Sequence, residues 1–269
     1  MVLPIHDLNP TRRTPVVTYV LLLLNVAVFL FSPLATQLVG SNDLGTRCET
    51  AAFLERWGAV PEQVIGNDAP QRALTGEAGN QGGQSGCFVR SPPGYDKVPV
   101  LSVLTSMFVH AGWLHLLGNL LFLYVFGNNV EDRLGRVRFT LFYLFCGAVA
   151  TYGFSVADAG SDVPLVGASG AIAGVLGAYL VLFPRAKVWS LLTFFFFLPV
   201  RLPAWLVLGG WFALQFVYSR GLGLAEGGGV AYLAHVIGFV VGALLVLPLR
   251  GSGSDRQIAD VRFGPYTRR

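Results

Sequence analysis

Five polar side chains stand out in or beside the apolar runs of this chain, namely His110, His115, Asn119, Ser169 and His235. Polar groups within apolar spans raise the free energy, so each is a functional candidate. A serine hydroxyl is a weak nucleophile until a neighbouring base takes its proton, and imidazole is a common base for that purpose. Ser169 and His235 are therefore read as nucleophile and general base. His115 and Asn119 stand four residues apart and share one face of a helix. Taken singly, an intramembrane serine more often bonds back to its own helix, and a lone histidine is more often a satisfied buried group. The set carries the weight. His110, His115 and His235 also offer three imidazoles, the ligand type of catalytic zinc, but the helical HExxH spacing is missing and Ser169 would have no role. The reading is a site without metal or cofactor.

The elements that must position these residues are apolar helices. Of 269 residues 53% are hydrophobic and 13% charged, and mean hydropathy is +0.58, more apolar surface than a soluble domain of this length buries. Spanning a bilayer takes about 20 apolar residues per helix. Six stretches approach this, at residues 16–31, 113–130, 139–156, 166–183, 204–218 and 230–249. The net charge of +4 resides in short Lys and Arg clusters between them, which orient helices and form no basic, aromatic surface for nucleic acid. Arg12 and Arg13, then Arg133, Arg136 and Arg138, then Arg185 and Lys187, and finally Arg250 all fall on one side. The expectation is an all-α integral membrane protein with six spans and cytoplasmic termini. Residues 1–15 form an inner N-terminal segment without a small-residue cleavage site, 16–249 the helical domain and 250–269 a basic inner tail.

The outer segment at 32–98 includes a short amphipathic piece near residues 51–60, and its TGEAGNQGGQSG stretch reads as flexible. Cys48 and Cys87 share that segment and pair if it faces an oxidising compartment, although two free thiols fit equally well. Cys146 is a packing residue. The apolar stretch at residues 188–200 reads as interfacial or as a lead-in to the fifth span, with Phe194–Phe197 as lipid-facing bulk. Spans two, four and six run inward in this topology, so His115, Ser169 and His235 share one layer and Asn119 lies one turn deeper. Gly170, Gly174 and Ala178 on span four, and Ala234, Gly238 and Gly242 on span six, form stripes that let helix backbones approach closely.

In order and on the matching spans, HAGWLHLLGN (His110 to Asn119), GASG (Gly167 to Gly170) and AHVIG (Ala234 to Gly238) resemble the rhomboid family of intramembrane serine proteases. PTRRTP before the first span and EDRLG after the second extend the resemblance. It implies a Ser169–His235 dyad with no acidic third member. His115, Asn119 and the Ser169 backbone N–H would form the oxyanion hole, and His110 a structural role in the preceding loop. Gly167 and Gly170 flank the nucleophile, and Glu131 with Arg133 would form a polar pair fixing the loop after the second span. It further implies single-span membrane proteins as substrates and a bacterial-type cytoplasmic membrane. Some members place a tyrosine one turn after the nucleophile to support the base, where this chain has Ala173, so the support of His235 is left unassigned. Non-catalytic relatives that bind transmembrane helices typically lack the serine or the histidine, and this chain keeps both. A transporter would predict internal repeats or broken helices with midplane charges, which the sequence does not show.

Overall fold

The structure is a computed structural model describing residues 2–36, 43–81, 84–192, 198–220 and 231–250. In chain order it contains β1 (Val2–Asp7), α1 (Val16–Leu30), α2 (Leu44–Trp57), α3 (Pro61–Gly66), β2 (Ala73–Gln81) and β3 (Gln84–Arg90). Then come α4 (Pro99–Thr105), α5 (Trp113–Leu134), α6 (Arg136–Ala157), α7 (Ser169–Leu182), β4 (Lys187–Leu192), β5 (Leu198–Pro203), α8 (Ala204–Ser219) and α9 (Tyr232–Val246). Among the described residues, α6 and the run Tyr232–Leu249 are each long and apolar enough to cross a membrane. The segment Pro99–Phe108 passes with α5 as one span bent by 79°. Helices α1, α7 and α8 are apolar but shorter, at 15, 14 and 16 residues.

Small side chains decide what lies at the centre. Helix α7 is buried from Gly170 to Tyr179, and among the described elements it makes its largest contact with α9. A Cβ added to Gly238 would overlap the carbonyl oxygen of Gly170, and one on Gly242 would overlap that of Gly174. On the opposite flank of α7, a Cβ on Gly170 would come within 2.7 Å of the Ala150 Cβ on α6. Both glycine stripes thus fall on a seam where backbone meets backbone, the packing that apolar surroundings favour because no hydrophobic drive separates helix from lipid.

Two small sheets modify the all-helical expectation. Strands β1, β4 and β5 form an antiparallel sheet in the order β1-β4-β5, so the described residues of the stretch read as interfacial or as a lead-in are strand. Period two explains this, since Val188 and Ser190 are fully buried while Lys187 is exposed. Most of the glycine-rich stretch expected to be flexible forms the β2–β3 hairpin. Composition disfavours strand there, but a disulfide from Cys48 on α2 to Cys87 on β3 fastens the hairpin to α2, and such tertiary restraint outweighs weak local propensity. Residues 82–83 of that stretch, the aromatic run Phe194–Phe197, the GLAEGGG turn and residues 251–269 of the tail lie outside the described residues.

The segment between α1 and α4 is anchored to the loop preceding α7. Lys97 Nζ donates to the carbonyls of Glu55 (2.6 Å) and Gly58 (3.0 Å), closing the end of α2. Ala59 and Leu165 then exchange backbone hydrogen bonds of 3.0 and 2.8 Å, and the Glu62 amide donates to Ser161. Near the end of α5, the buried Glu131 carboxylate accepts from the Val17 and Thr18 amides and the Thr18 hydroxyl, capping α1. Asp132 accepts from the Arg12 and Arg13 amides, and Arg133 donates to the Leu249 carbonyl beyond α9. Asp7 of β1 accepts from Asn129 (2.6 Å) and Tyr179 (2.8 Å), tying the sheet to α5 and α7. Burial pushes the Asp7 carboxyl up from 3.8 to about 6, against the lowering effect of the Tyr179 hydrogen bond.

These restraints give two expectations. The disulfide closes a loop of sequence separation 39, worth about 4 kcal/mol by loop-closure entropy. Replacing Cys48 and Cys87 with serine should therefore lower the thermal midpoint to that of the reduced wild type, and an unchanged midpoint would remove the staple from the stability account. For Asp7 the folded-state pKa exceeds the unfolded one, so the folded chain binds more protons between them and stability falls as pH rises from about 4 to about 6. The span of about two units corresponds to an effect on the order of 3 kcal/mol. Asp7→Asn, which keeps a carbonyl acceptor, should match wild type at pH 4 and exceed it at pH 7.5 in paired denaturation curves.

Candidate active site

The chain must turn sharply to start α7. Gly167 has φ +119°, a conformation few side chains tolerate, and its amide donates to the Ser106 carbonyl at 2.9 Å. A Cβ there would stand 2.6 Å from His115 Nε2 and 3.6 Å from Ser169 Oγ. The glycine therefore serves two ends, allowing the turn and letting the His115 ring lie against the start of α7. Helix α7 begins without a side-chain cap, so the amides of its first turn, that of Ser169 included, have no intrahelical acceptor.

Ser169 and His235 meet across the glycine seam. Ser169 Oγ is 2.8 Å from His235 Nε2, and both residues are half-buried. On its other side His235 Nδ1 lies 2.7 Å from Gln215 Oε1, on α8. That oxygen only accepts, so Nδ1 carries the proton and Nε2 presents its lone pair to the serine hydroxyl. The Trp211 ring, one turn before Gln215, faces the imidazole at 5.9 Å between centroids and 32° between planes, and Tyr232 meets it edge-on at 6.5 Å. Ala173 is fully buried and a Cβ on Gly238 would sit 3.4 Å from its own. A larger residue there would push α9 away, so the ring is braced from α8 instead.

His115 and Asn119 approach from α5. The Ala111 amide donates to His115 Nδ1 at 3.4 Å, which leaves the proton on Nε2, the atom facing Gly167. His110 lies behind it, 1% exposed, with its ring edge-to-face with His115 at 5.2 Å. His110 Nδ1 donates to the Phe108 carbonyl, and among the described residues its buried Nε2 has no partner. The buried Asn119 side-chain nitrogen likewise has no hydrogen-bond partner among the described residues. Leaving a buried donor unmade costs about 1–3 kcal/mol, which makes Asn119 an uncommitted donor in the helix that carries His115.

Over residues 99–252 the sequence matches the Rhomboid domain family. The chain belongs to the rhomboid family. Similar curated proteins are the chloroplastic Rhomboid-like protein 11 of Arabidopsis thaliana, 33% identical over 173 residues (59% of this chain and 56% of that one), and the mitochondrial Rhomboid protein 1 of Saccharomyces cerevisiae, 32% identical over 149 residues (54% and 40%). The Rhomboid protease GluP of Bacillus subtilis is 42% identical over 81 residues, 29% of this chain and 15% of GluP. The matched stretches cover between 15% and 56% of these relatives' lengths. Family and apolar helices together make this rhomboid a membrane protein.

Ser169, His235, His115 and Gly167 come together in this rhomboid, and Gly170 serves the helix seam. Glu131 and Arg133 lie about 24 and 27 Å along α5 from His115 at 1.5 Å per residue; Glu131 accepts from α1, and Arg133 donates to the Leu249 carbonyl beyond α9. Among the described residues no three of His, Cys, Asp or Glu are grouped to hold a metal. The sequence reading passed over Gln215, although it met the criterion used for the others: a polar residue inside an apolar span. Gly167→Ala should lower stability by about 1–3 kcal/mol through strained backbone and displace the His115 ring. Gly160→Ala, where an added Cβ meets nothing within 4 Å, should change neither in paired melting curves and histidine NMR spectra.

Proposed function

We propose that this rhomboid is an intramembrane serine endopeptidase that cleaves the transmembrane segments of single-span membrane proteins near the outer face. The observation that carries the reading is the 2.8 Å contact of Ser169 Oγ with His235 Nε2, the imidazole being held through Nδ1. Six spans are proposed, formed by α1, the bent α4–α5 unit, α6, α7, α8 and α9, with both termini in the cytoplasm of a bacterial-type cell. Arg12, Arg13, Arg136, Arg138, Arg185 and Arg250 on the inner side support that orientation. At 14 residues α7 is about 21 Å long, shorter than the roughly 30 Å of hydrocarbon. Its first residue, Ser169, then lies below the outer surface, where the substrate helix must locally unwind to free a carbonyl.

In the first step His235 Nε2 takes the Ser169 proton as Oγ bonds to the scissile carbonyl carbon. The carbonyl oxygen becomes an oxyanion, to be met by the Ser169 amide, the His115 Nε2–H and the Asn119 side-chain amide, since donors aimed at developing charge stabilise it. Collapse breaks the carbon–nitrogen bond, and His235 gives its proton to the leaving amine. Water, deprotonated by His235, then attacks the acyl-enzyme and restores Ser169. No cofactor enters any step.

Ser169→Ala and His235→Ala should each lower cleavage of a single-span substrate in detergent or vesicles by more than about a thousandfold without unfolding the chain. Asn119→Ala should lower kcat about a hundredfold at unchanged KM. Wild-type turnover in the Ser169 variant would sink the reading.

A further inference from the structure

Among the described residues the base of this site has no acidic partner, and Ala173 leaves one face of it without a supporting ring. Besides Tyr232 on its own helix, the side chains set against His235 come from α8. Gln215 and Trp211 are four residues apart on that helix, so they share a face, and that face meets the imidazole at Nδ1 and across its plane. We propose that Gln215 is a positioning residue that fixes His235 in the tautomer protonated on Nδ1, so that the Nε2 lone pair faces Ser169. The inference rests on the proposed protease reading for its kinetic consequence and on the hydrogen-bond geometry for its structural one.

The polarity of the chain of bonds carries the case. Ser169 can lose its proton only to a bare Nε2, so Nδ1 must be a donor, and a donor at Nδ1 needs an acceptor on its far side. Gln215 Oε1 is that acceptor at 2.7 Å. Without it the neutral imidazole exchanges freely between two tautomers, and the one protonated on Nε2 offers the serine a donor instead of a base. An amide performs this task without a second charge in an apolar span, where a carboxylate would be costly. Gln215 therefore orients the base as a triad carboxylate does, but lends the imidazolium no ionic stabilisation. The exchange of Gln215 leaves α8 docked, because its buried side chains Ala204, Val207 and Leu208 lie in its first turns, away from residue 215.

The test uses Gln215→Met, similar in length and without an acceptor, and Gln215→Glu, which keeps an oxygen at that place. Among the described residues, besides Ser169, His115 on α5 acts electrostatically on His235 and Tyr232 on its own helix meets its ring, and neither is altered. Gln215→Met should lower kcat at least about tenfold at unchanged KM and thermal midpoint, as expected when the wrong tautomer is populated. Gln215→Glu should keep kcat within about threefold and move the acid limb of its pH profile upward by roughly one unit or more, since a carboxylate at Nδ1 favours the imidazolium. Wild-type kcat in the methionine variant, or equal losses in both with an unmoved profile, would overturn the proposal. Imidazole nitrogen NMR separates this proposal from the protease reading. The chain has four histidines, and the His235 signals, assigned by their loss in His235→Ala, should show the Nδ1–H tautomer in wild type and a mixture in Gln215→Met. An Nε2–H tautomer in wild type overturns the Gln215 role whether or not the chain cleaves a substrate. Cleavage that persists in Ser169→Ala overturns the protease reading alone.

Discussion

The rest of the structure depends on how closely α7 and α9 approach. Along their seam glycines stand where any Cβ would run into a neighbouring carbonyl, at Gly238 against Gly170 and at Gly242 against Gly174. Ser169 adjoins Gly170, and His235 lies less than one turn from Gly238, so the seam sets the separation of the hydroxyl and the imidazole. One inserted methyl group would part the helices by more than a hydrogen bond of 2.8 Å tolerates. Glycine within a helix costs about 1 kcal/mol relative to alanine. In this fold that cost is offset by packing of backbone on backbone, the main attraction left between helices in an apolar medium.

Several carboxylates have made their bonds: Glu131 caps α1, Asp132 holds the chain before it, and Asp7 accepts from Asn129 and Tyr179. Buried polar groups that serve the fold are satisfied in this way. Among the described residues Asn119, near the start of α5, keeps a buried donor with no acceptor, and His110, just before that helix, a buried ring nitrogen with no donor. Helix α5 thus carries both an engaged polar group, Glu131, and an uncommitted one, Asn119. The cap formed by α2, α3 and the hairpin adds a restraint from outside, because Ala59 pairs with Leu165, two residues before Gly167. The disulfide therefore bears on the loop that starts the site while lying in a different part of the sequence.

The helices and the candidate Ser169–His235 pair were legible in the sequence because apolar solvent simplifies the code. A residue that cannot hydrogen bond to lipid is conspicuous when polar, and apolar length alone marks a span. The same simplicity misled where polar surroundings allow alternatives. The glycine-rich outer stretch carried no strand signal of its own and became a hairpin through a covalent tie to α2. Cysteine positions permitted that tie, but distance in space decided it. Residues Lys187–Leu192 and Leu198–Pro203 were apolar enough to pass for an interfacial piece, and only pairing with β1 made them a sheet.

By itself the sequence determined the medium of this protein, the order of its apolar helices, the family motifs and the polar residues able to do chemistry, since all of these follow from residue type and spacing. It did not determine what each polar residue touches. Glu131 and Arg133, adjacent in the reading as a pair, bind different helices because side chains two apart on a helix point in different directions. Gln215 reaches His235 from a helix that comes into register with α9 only after the chain has folded. Which atom of an imidazole bears the proton is decided by the acceptor beside it, and that acceptor is brought there by tertiary structure alone.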